Sequence, residues 1–135
     1  MGPGLVRGKG VSMVLFVDIN DICRAPLAAA LYQRACGKPA YSAGVYADEG
    51  AALCKAVCPP LIGAHRSRQL SAAMLEKADD VWCVTAAIAR HLAEEHPQQA
   101  HKIHAMADIE DPFGMGNEAY ARCADEIRAQ VEELP

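Results

Sequence analysis

The sequence is poor in aromatic residues, carries no surplus of positive charge and contains no long apolar run. Aromatic residues make up 5% of its 135 residues, so alanine and aliphatic side chains must fill the core. The formal net charge of -4 gives no reason to expect nucleic acid or an anionic membrane as a partner. No apolar run approaches the ~20 residues that a membrane-spanning helix needs.

The beginning of the sequence lacks the apolar stretch of a secretory signal peptide. We interpret the glycine-rich residues 1–11 as a flexible tail and residues 12–135 as a single domain. Without a signal peptide, cysteines scattered through helix and strand patterns predict reduced thiols and a cytoplasmic location. Cys54, Cys58 and His65 have too loose a spacing for a zinc site, and we expect no metal and no cofactor.

Strand and helix patterns alternate along the chain. Apolar runs predict strands over 13–17, 40–43, 80–84 and 102–106, and the segments between them predict helices over about 25–36, 49–57, 72–77 and 86–95. Gly37 is the expected stop of the first helix, and Ser71 and Thr85 are expected helix caps. This order indicates an α/β fold, a three-layer sandwich with a four-stranded parallel sheet flanked by helices.

The end of the chain predicts a loop followed by an amphipathic helix. Two acids, a proline and two glycines mark residues 109–116 as loop. The helix that follows begins at Asn117, and its predicted buried face consists of Ala121, Ala124, Ile127, Val131 and Leu134. Because ligands of such folds bind beyond the carboxyl ends of the strands, we expect this loop near the functional site.

The segment VLFVDINDICRAP, residues 14–26, is the most informative part of the sequence. A buried strand, a tight loop and a helix start place backbone N–H groups around an anion. Arg24 could hold two oxygens of a tetrahedral oxyanion at once. The predicted phosphate loop consists of Ile19, Asn20, Asp21, Ile22 and Cys23.

Four separated segments resemble one known family, the low-molecular-weight protein tyrosine phosphatases. VLFVDINDICRAP is similar to the family's VLFVCxGNxCRSP signature, and Tyr41-Ser42-Ala43-Gly44 to its SAG segment. The run HRSRQL from His65 resembles the H-x-[SA]-R-x-L patch, and DPFG from Asp111 resembles the DP[YF]G loop. The resemblance implies a Rossmann-like fold of the phosphotyrosine phosphatase I type.

The resemblance also implies three catalytic positions. Family members use a cysteine thiolate as nucleophile, an arginine that holds the phosphoryl group and an aspartic acid that protonates the leaving oxygen. Arg24 and Asp111 match the last two positions, but the nucleophile position holds Asp18. Phe113 is expected at the pocket rim, whereas Trp82 is expected in the core.

Further residues of the loop depart from the family pattern. Asn20 and Asp21 replace its glycine and asparagine, and Ala25 replaces its serine. Cys23 matches the family's second cysteine, but a redox link to a first loop cysteine is impossible. The resemblance pairs position 21 with Ser42 and His65, and a charged His65 could compensate for Asp21.

We expect the Asp18 carboxylate to be ionised, to accept hydrogen bonds intended for phosphate and to repel an incoming phosphate. The main hypothesis is a catalytically impaired pseudophosphatase that binds a phosphoprotein or another oxyanion. The alternatives are a phosphatase with Asp18 as nucleophile, dependent on Mg²⁺ if F-V-D-I-N-D acts like a haloacid-dehalogenase loop, and a relative of thioredoxin-coupled arsenate reductases. Arg24 could instead be purely structural, neutralised by Asp18 or Asp21.

Overall fold

The computed structural model describes residues 13–50 and 65–134. Its four strands are all parallel and lie in the order β2-β1-β3-β4 across one sheet. They are β1 (Val14–Asp18), β2 (Ala40–Gly44), β3 (Asp80–Cys83) and β4 (Ile103–Ala105). The predicted parallel sheet is therefore confirmed, with every residue of β1 buried in its middle.

The fourth strand is one residue shorter than predicted at each end, since it covers Ile103–Ala105. Residues Pro97–Lys102 form a 3₁₀ helix, so Lys102 belongs to that turn and not to β4. The Lys102 ammonium donates to the carbonyl oxygen of Ala78 at 2.6 Å, which ties this turn to the residue that follows the helix Ala72–Lys77. That tertiary contact explains why the strand begins one residue later.

The described residues also form four α helices, α1 (Arg24–Cys36), α2 (Ala72–Lys77), α3 (Ala86–Glu95) and α4 (Asn117–Glu132). The expected caps are confirmed, because the Ser71 and Thr85 hydroxyls accept from backbone N–H groups of their helices and Gly37 ends α1 in the left-handed region. The predicted helix over 49–57 lies mostly outside the described residues. Of the helices described, none has both the length and the apolarity to cross a membrane.

The predicted buried face of the last helix is confirmed except at one position. Ile127 and Val131 are buried, and Ala124 and Leu134 are partly buried against the core. The buried residues of α4 are Ala119, Cys123, Ile127 and Val131, whereas Ala121 is exposed. A stripe at four-residue spacing lies along one side of a helix, and Ala121 lies away from that side. Packing against α1 selects this face.

Trp82, which was expected in the core, is only half-buried in β3. Its ring lies against that of His104, with the two ring centroids 4.7 Å apart.

Candidate active site

The phosphate loop connects the carboxyl end of β1 to the start of α1 and lies against the end of β2. The backbone N–H groups of Val45 and Tyr46 donate to the carbonyl oxygens of Asp18 and Ile19 at 3.0 and 2.8 Å. A Cβ at Gly44 would lie 2.5 Å from the Ile19 carbonyl oxygen, so this close approach requires glycine. The glycine of the SAG-like segment thus holds the loop against the sheet.

The side chain of Asp18 accepts hydrogen bonds from backbone N–H groups of its own loop and of the helix that follows. Its Oδ1 accepts from the backbone N–H of Asp21 at 2.7 Å, and its Oδ2 accepts from that of Ala25 at 2.8 Å. Ala25 belongs to the first turn of α1, where unpaired N–H groups favour an anion. The expectation that Asp18 accepts hydrogen bonds from the loop is confirmed.

The expectation that ionisation of Asp18 is favoured is wrong. The residue is 2% exposed, and burial raises the pKa of its carboxyl to about 6. The N–H groups of Ala25 and Asp21 and the charge of Arg24 lower the pKa, but they do not offset the desolvation of a buried carboxylate. The loop therefore holds a carboxyl group that gains a proton in mildly acidic solution.

Arg24 connects the phosphate loop to the loop after β4. Its guanidinium Nη1 donates to the carbonyl oxygen of Ile109 at 2.8 Å, and its Nη2 lies 3.7 Å from Oδ2 of Asp111. The expectation of an ion pair with Asp18 or Asp21 is corrected, because the observed partner is Asp111. Arg24 is 5% exposed, so its charge acts in a largely desolvated position and still favours ionised Asp18.

Asp21 lies under the loop and joins it to the HRSRQL segment. It has a φ of 58°, which aspartate tolerates better than most residues. Its Oδ2 accepts from the backbone N–H of Arg68 at 2.8 Å, and Nε2 of His65 lies 2.7 Å from its carbonyl oxygen and 3.5 Å from Oδ2. The structure thus brings Asp21 and His65 together, and the Ser42 hydroxyl also bonds to the carboxyl.

Burial is the dominant influence on the pKa of Asp21 as well. Desolvation raises the pKa of its carboxyl, although the Ser42 hydroxyl, the Arg68 N–H group and the His65 ring oppose that rise. Oδ1 of Asp21 has no well-aligned hydrogen-bond donor among residues 13–50 and 65–134. The asparagine that the sequence resemblance implies at this position would present a neutral amide instead, whereas Asp21 places a buried acid under the loop.

A cavity of about 170 Å³ opens above the loop. It is lined by Asp18, Asn20, Ile22, Cys23, Arg24, Asp111, Phe113 and Tyr120. Phe113, 73% exposed, forms part of its rim. Four of the predicted site residues are absent from this lining: Ile19, Asp21, Ser42 and His65. Of these, Asp21, Ser42 and His65 support the loop through the contacts described above.

Three contributors to the site were missed by sequence reasoning. Tyr120 lines the cavity from the first turn of α4, the Ile109 carbonyl holds Arg24, and the Arg68 N–H group holds Asp21. An aromatic residue soon after the DPFG loop was the available signal for Tyr120. Backbone groups such as those of Ile109 and Arg68 leave no signal, because every residue carries them.

The charges of the cavity do not favour a phosphate dianion when Asp18 is ionised. Two carboxyl groups, those of Asp18 and Asp111, then face one guanidinium, that of Arg24. A metal could offset this excess, but within the described part of the chain no three His, Cys, Asp or Glu side chains group closely enough to hold one. Proton uptake by Asp18 is the change that would make the cavity neutral.

Comparison with known proteins identifies the family. The family model for low molecular weight phosphotyrosine protein phosphatase matches residues 13–135. A protein-arginine-phosphatase of Geobacillus stearothermophilus is 32% identical over 90% of this chain and 92% of its own length. A probable low molecular weight protein-tyrosine-phosphatase, EpsP, of Ralstonia solanacearum is 30% identical over 76% of this chain and 79% of its own length.

Solved structures agree with this assignment. The YwlE arginine phosphatase from Geobacillus stearothermophilus superposes with a TM-score of 0.81 at 30% identity, covering 90% of this chain and 88% of its own. The Vibrio vulnificus Wzb structure in complex with benzylphosphonate has a TM-score of 0.84 at 21% identity, covering 91% and 96%, and shares the fold. The chain belongs to the low molecular weight phosphotyrosine protein phosphatase family.

Proposed function

We propose that this protein is a catalytically impaired member of its family, a pseudophosphatase whose phosphate loop is occupied by its own Asp18. The observation that supports this most directly is the pair of hydrogen bonds from the Asp21 and Ala25 N–H groups to the two oxygens of Asp18. Those donors are not available to a phosphoryl group while the carboxylate remains in place.

The same contacts argue against Asp18 as an efficient nucleophile. A carboxylate that accepts a hydrogen bond at each oxygen has less electron density available for attack on phosphorus. It would also have to leave the loop backbone and overcome repulsion from a phosphate dianion. In addition, Ala25 lacks the hydroxyl that would help a cysteine leave in the family reaction.

The ligand we propose is an oxyanion, with a phosphorylated protein side chain as the physiological form. Relatives are named for phosphoarginine and phosphotyrosine chemistry, and Arg24 and the aromatic residues Phe113 and Tyr120 face the same cavity here. Binding should strengthen as Asp18 takes up a proton, because the cavity then loses one negative charge. A reducing cytoplasm stays the expected location.

The first experiment measures p-nitrophenyl phosphate hydrolysis by the unmodified protein and by Asp18→Cys, each with and without Mg²⁺. We expect no turnover by the unmodified protein. Turnover by Asp18→Cys, increased further by the second change Ala25→Ser, would show that Arg24 and Asp111 are still placed for catalysis. Adding Asp111→Asn to the active variant is the matched control and should reduce its rate by about 10²-fold or more.

Hydrolysis by the unmodified protein would contradict the proposal. If that activity required Mg²⁺, an aspartyl-phosphate route through Asp18 would become the working mechanism. If it persisted without metal and was lost in Asp18→Asn, Asp18 would be a metal-independent nucleophile.

A binding measurement tests the ligand independently of turnover. Sulfate is the better probe than phosphate, because its charge stays constant between pH 5 and pH 8. We expect tighter sulfate binding by the unmodified protein at pH 5 than at pH 8, and little pH dependence in Asp18→Asn. Equal affinities at both values would show that Asp18 does not compete with the ligand.

A further inference from the structure

A pair of cysteines lies next to the cavity, between the phosphate loop and the last helix. Cys23 is the last residue before α1, and Cys123 lies on the buried face of α4. The two thiols are hydrogen-bonded to each other. Both residues are largely buried, with 9% and 5% of their surfaces exposed, and the packing of α1 against α4 holds them together.

The surroundings of Cys123 favour its thiolate. The hydrogen bond from Cys23 is the largest influence and lowers the pKa of Cys123, and the charge of Arg24 acts in the same direction. Burial and the carboxylates of Glu126 and Asp111 oppose them without cancelling the effect. Cys83 provides the contrast, since burial in β3 raises the pKa of its thiol to about 12.

The cavity gives small molecules access to this pair. Cys23 is part of the cavity lining, and Cys123 is in contact with Cys23. A small oxidant can therefore reach Cys23, whose thiol is hydrogen-bonded to that of Cys123, by the route that leads to Asp18. Cys83, buried in the core, has no such position in the cavity lining.

We propose that Cys23 and Cys123 form a reversible disulfide when hydrogen peroxide reaches the cavity. The Cys123 thiolate attacks one peroxide oxygen and becomes a sulfenic acid, and the other oxygen leaves as hydroxide and is protonated to water. The Cys23 sulfur then attacks the Cys123 sulfur, the S–O bond breaks, and a second water leaves with the Cys23 proton. Two thiols have together lost two electrons and two hydrogens to one peroxide.

This link differs from one within the phosphate loop, which Asp18 makes impossible. It would join the wall of the cavity covalently to α4 and close a loop of about 100 residues. A dithiol reductant would reverse it by thiol–disulfide exchange through the cavity. The cavity would then carry a redox-sensitive wall regardless of whether it binds phosphate.

The test maps disulfides in the unmodified protein after treatment with increasing peroxide. Remaining thiols are alkylated, the protein is digested, and linked peptides are identified by mass spectrometry. We expect a Cys23–Cys123 link that disappears on treatment with dithiothreitol, while Cys83 stays a thiol. Unlinked Cys23 and Cys123 at a peroxide dose that oxidises the exposed Cys36 would overturn the proposal, as would a link from Cys23 to Cys54 or Cys58.

Variants and thermal melting provide a second readout. Cys123→Ala should abolish the linked species, whereas the matched control Cys36→Ala should retain it. Oxidation should raise the melting temperature of the unmodified protein by roughly 5–15 °C, reversed by reductant, because a cross-link over this span restricts the unfolded chain. An unchanged or lower melting temperature would overturn the proposal that native packing holds the two sulfurs ready to bond.

Discussion

Asp18 and Asp111 face the same cavity but occupy opposite environments. The Asp18 carboxyl is 2% exposed and accepts two backbone hydrogen bonds, whereas the Asp111 side chain is 45% exposed and lies 3.7 Å from Arg24. Burial raises the pKa of Asp18 to about 6. Two aspartates in one cavity therefore differ in their environments, because their solvent access and the hydrogen-bond donors available to them differ.

The loops that carry these acids are anchored differently. The phosphate loop lies against the end of β2, where Gly44 leaves no room for a side chain. The loop after β4 is held at its beginning by Gln130, whose amide exchanges two hydrogen bonds with the backbone of Ala107, and by Arg24 at Ile109. Its Phe113 and Met115 are exposed. Four predictions test this contrast, from the largest expected effect to the smallest.

The largest difference in stability should arise between two glycine replacements, one beside the phosphate loop and one in the loop after β4. Gly44→Ala places a Cβ 2.5 Å from the Ile19 carbonyl oxygen, and we expect it to lower the free energy of unfolding by about 4 kcal/mol. Gly114→Ala meets open space and costs only the strain of a positive φ, about 1 kcal/mol. Urea denaturation of both variants checks this, and equal losses would refute the difference in anchoring.

The buried carboxyl should make stability depend on pH. Because the pKa of Asp18 is raised in the folded state, its protonated form contributes stability that is fully present below pH 3.8 and is lost as pH rises to about 6. The loss corresponds to about 3 kcal/mol. The pKa of buried Asp21 is also raised, so its ionisation adds to the loss of stability as pH rises.

Asp18→Asn is the control for this pH effect, because it keeps the shape of the side chain and cannot titrate. Denaturant midpoints measured between pH 4 and pH 7 should fall less steeply for the variant than for the unmodified protein. Parallel curves for the two proteins would show that Asp18 has an ordinary pKa.

Arg24 and Asp111, the ion pair between the two loops, should contribute unequally to the free energy of unfolding. Arg24→Met removes the donor to the buried Ile109 carbonyl, and we expect a loss of about 2 kcal/mol. Asp111→Asn changes a half-exposed partner 3.7 Å away and should cost less than about 0.5 kcal/mol. A double-mutant cycle measures the coupling, and a coupling close to the whole cost of Arg24→Met would make Asp111 the main partner.

Gln130, which clamps the loop after β4 through its two hydrogen bonds to Ala107, should have the smallest effect on stability. Gln130→Ala removes two exposed hydrogen bonds, at 2.9 and 3.0 Å, and should cost about 1 kcal/mol. Arg128→Ala, on the same helix, removes only a surface ion pair with Asp125 and should cost less than about 0.5 kcal/mol. If thermal melting shows no difference between them, the clamp does not hold the loop.

Sequence reasoning predicted the local features of this fold well. Ser71, Thr85 and Gly37 act within one helical turn of their own positions, so the residue type and its neighbours are sufficient to predict them. It predicted the buried face of α4 less well, since exposed Ala121 was placed on it instead of Cys123. Alanine is compatible with either face, and only the packing of α1 against the helix distinguishes them.

The sequence by itself determined that an aspartate stands between a strand and a helix start, where the family resemblance predicts the nucleophile, and that an arginine and a second aspartate accompany it. Only the tertiary structure decided that Asp18 is desolvated, that Arg24 pairs with Asp111 and that Cys23 contacts Cys123. The physical reason is that desolvation and pairing depend on atoms from segments far apart in the chain, which only folding brings within bonding distance.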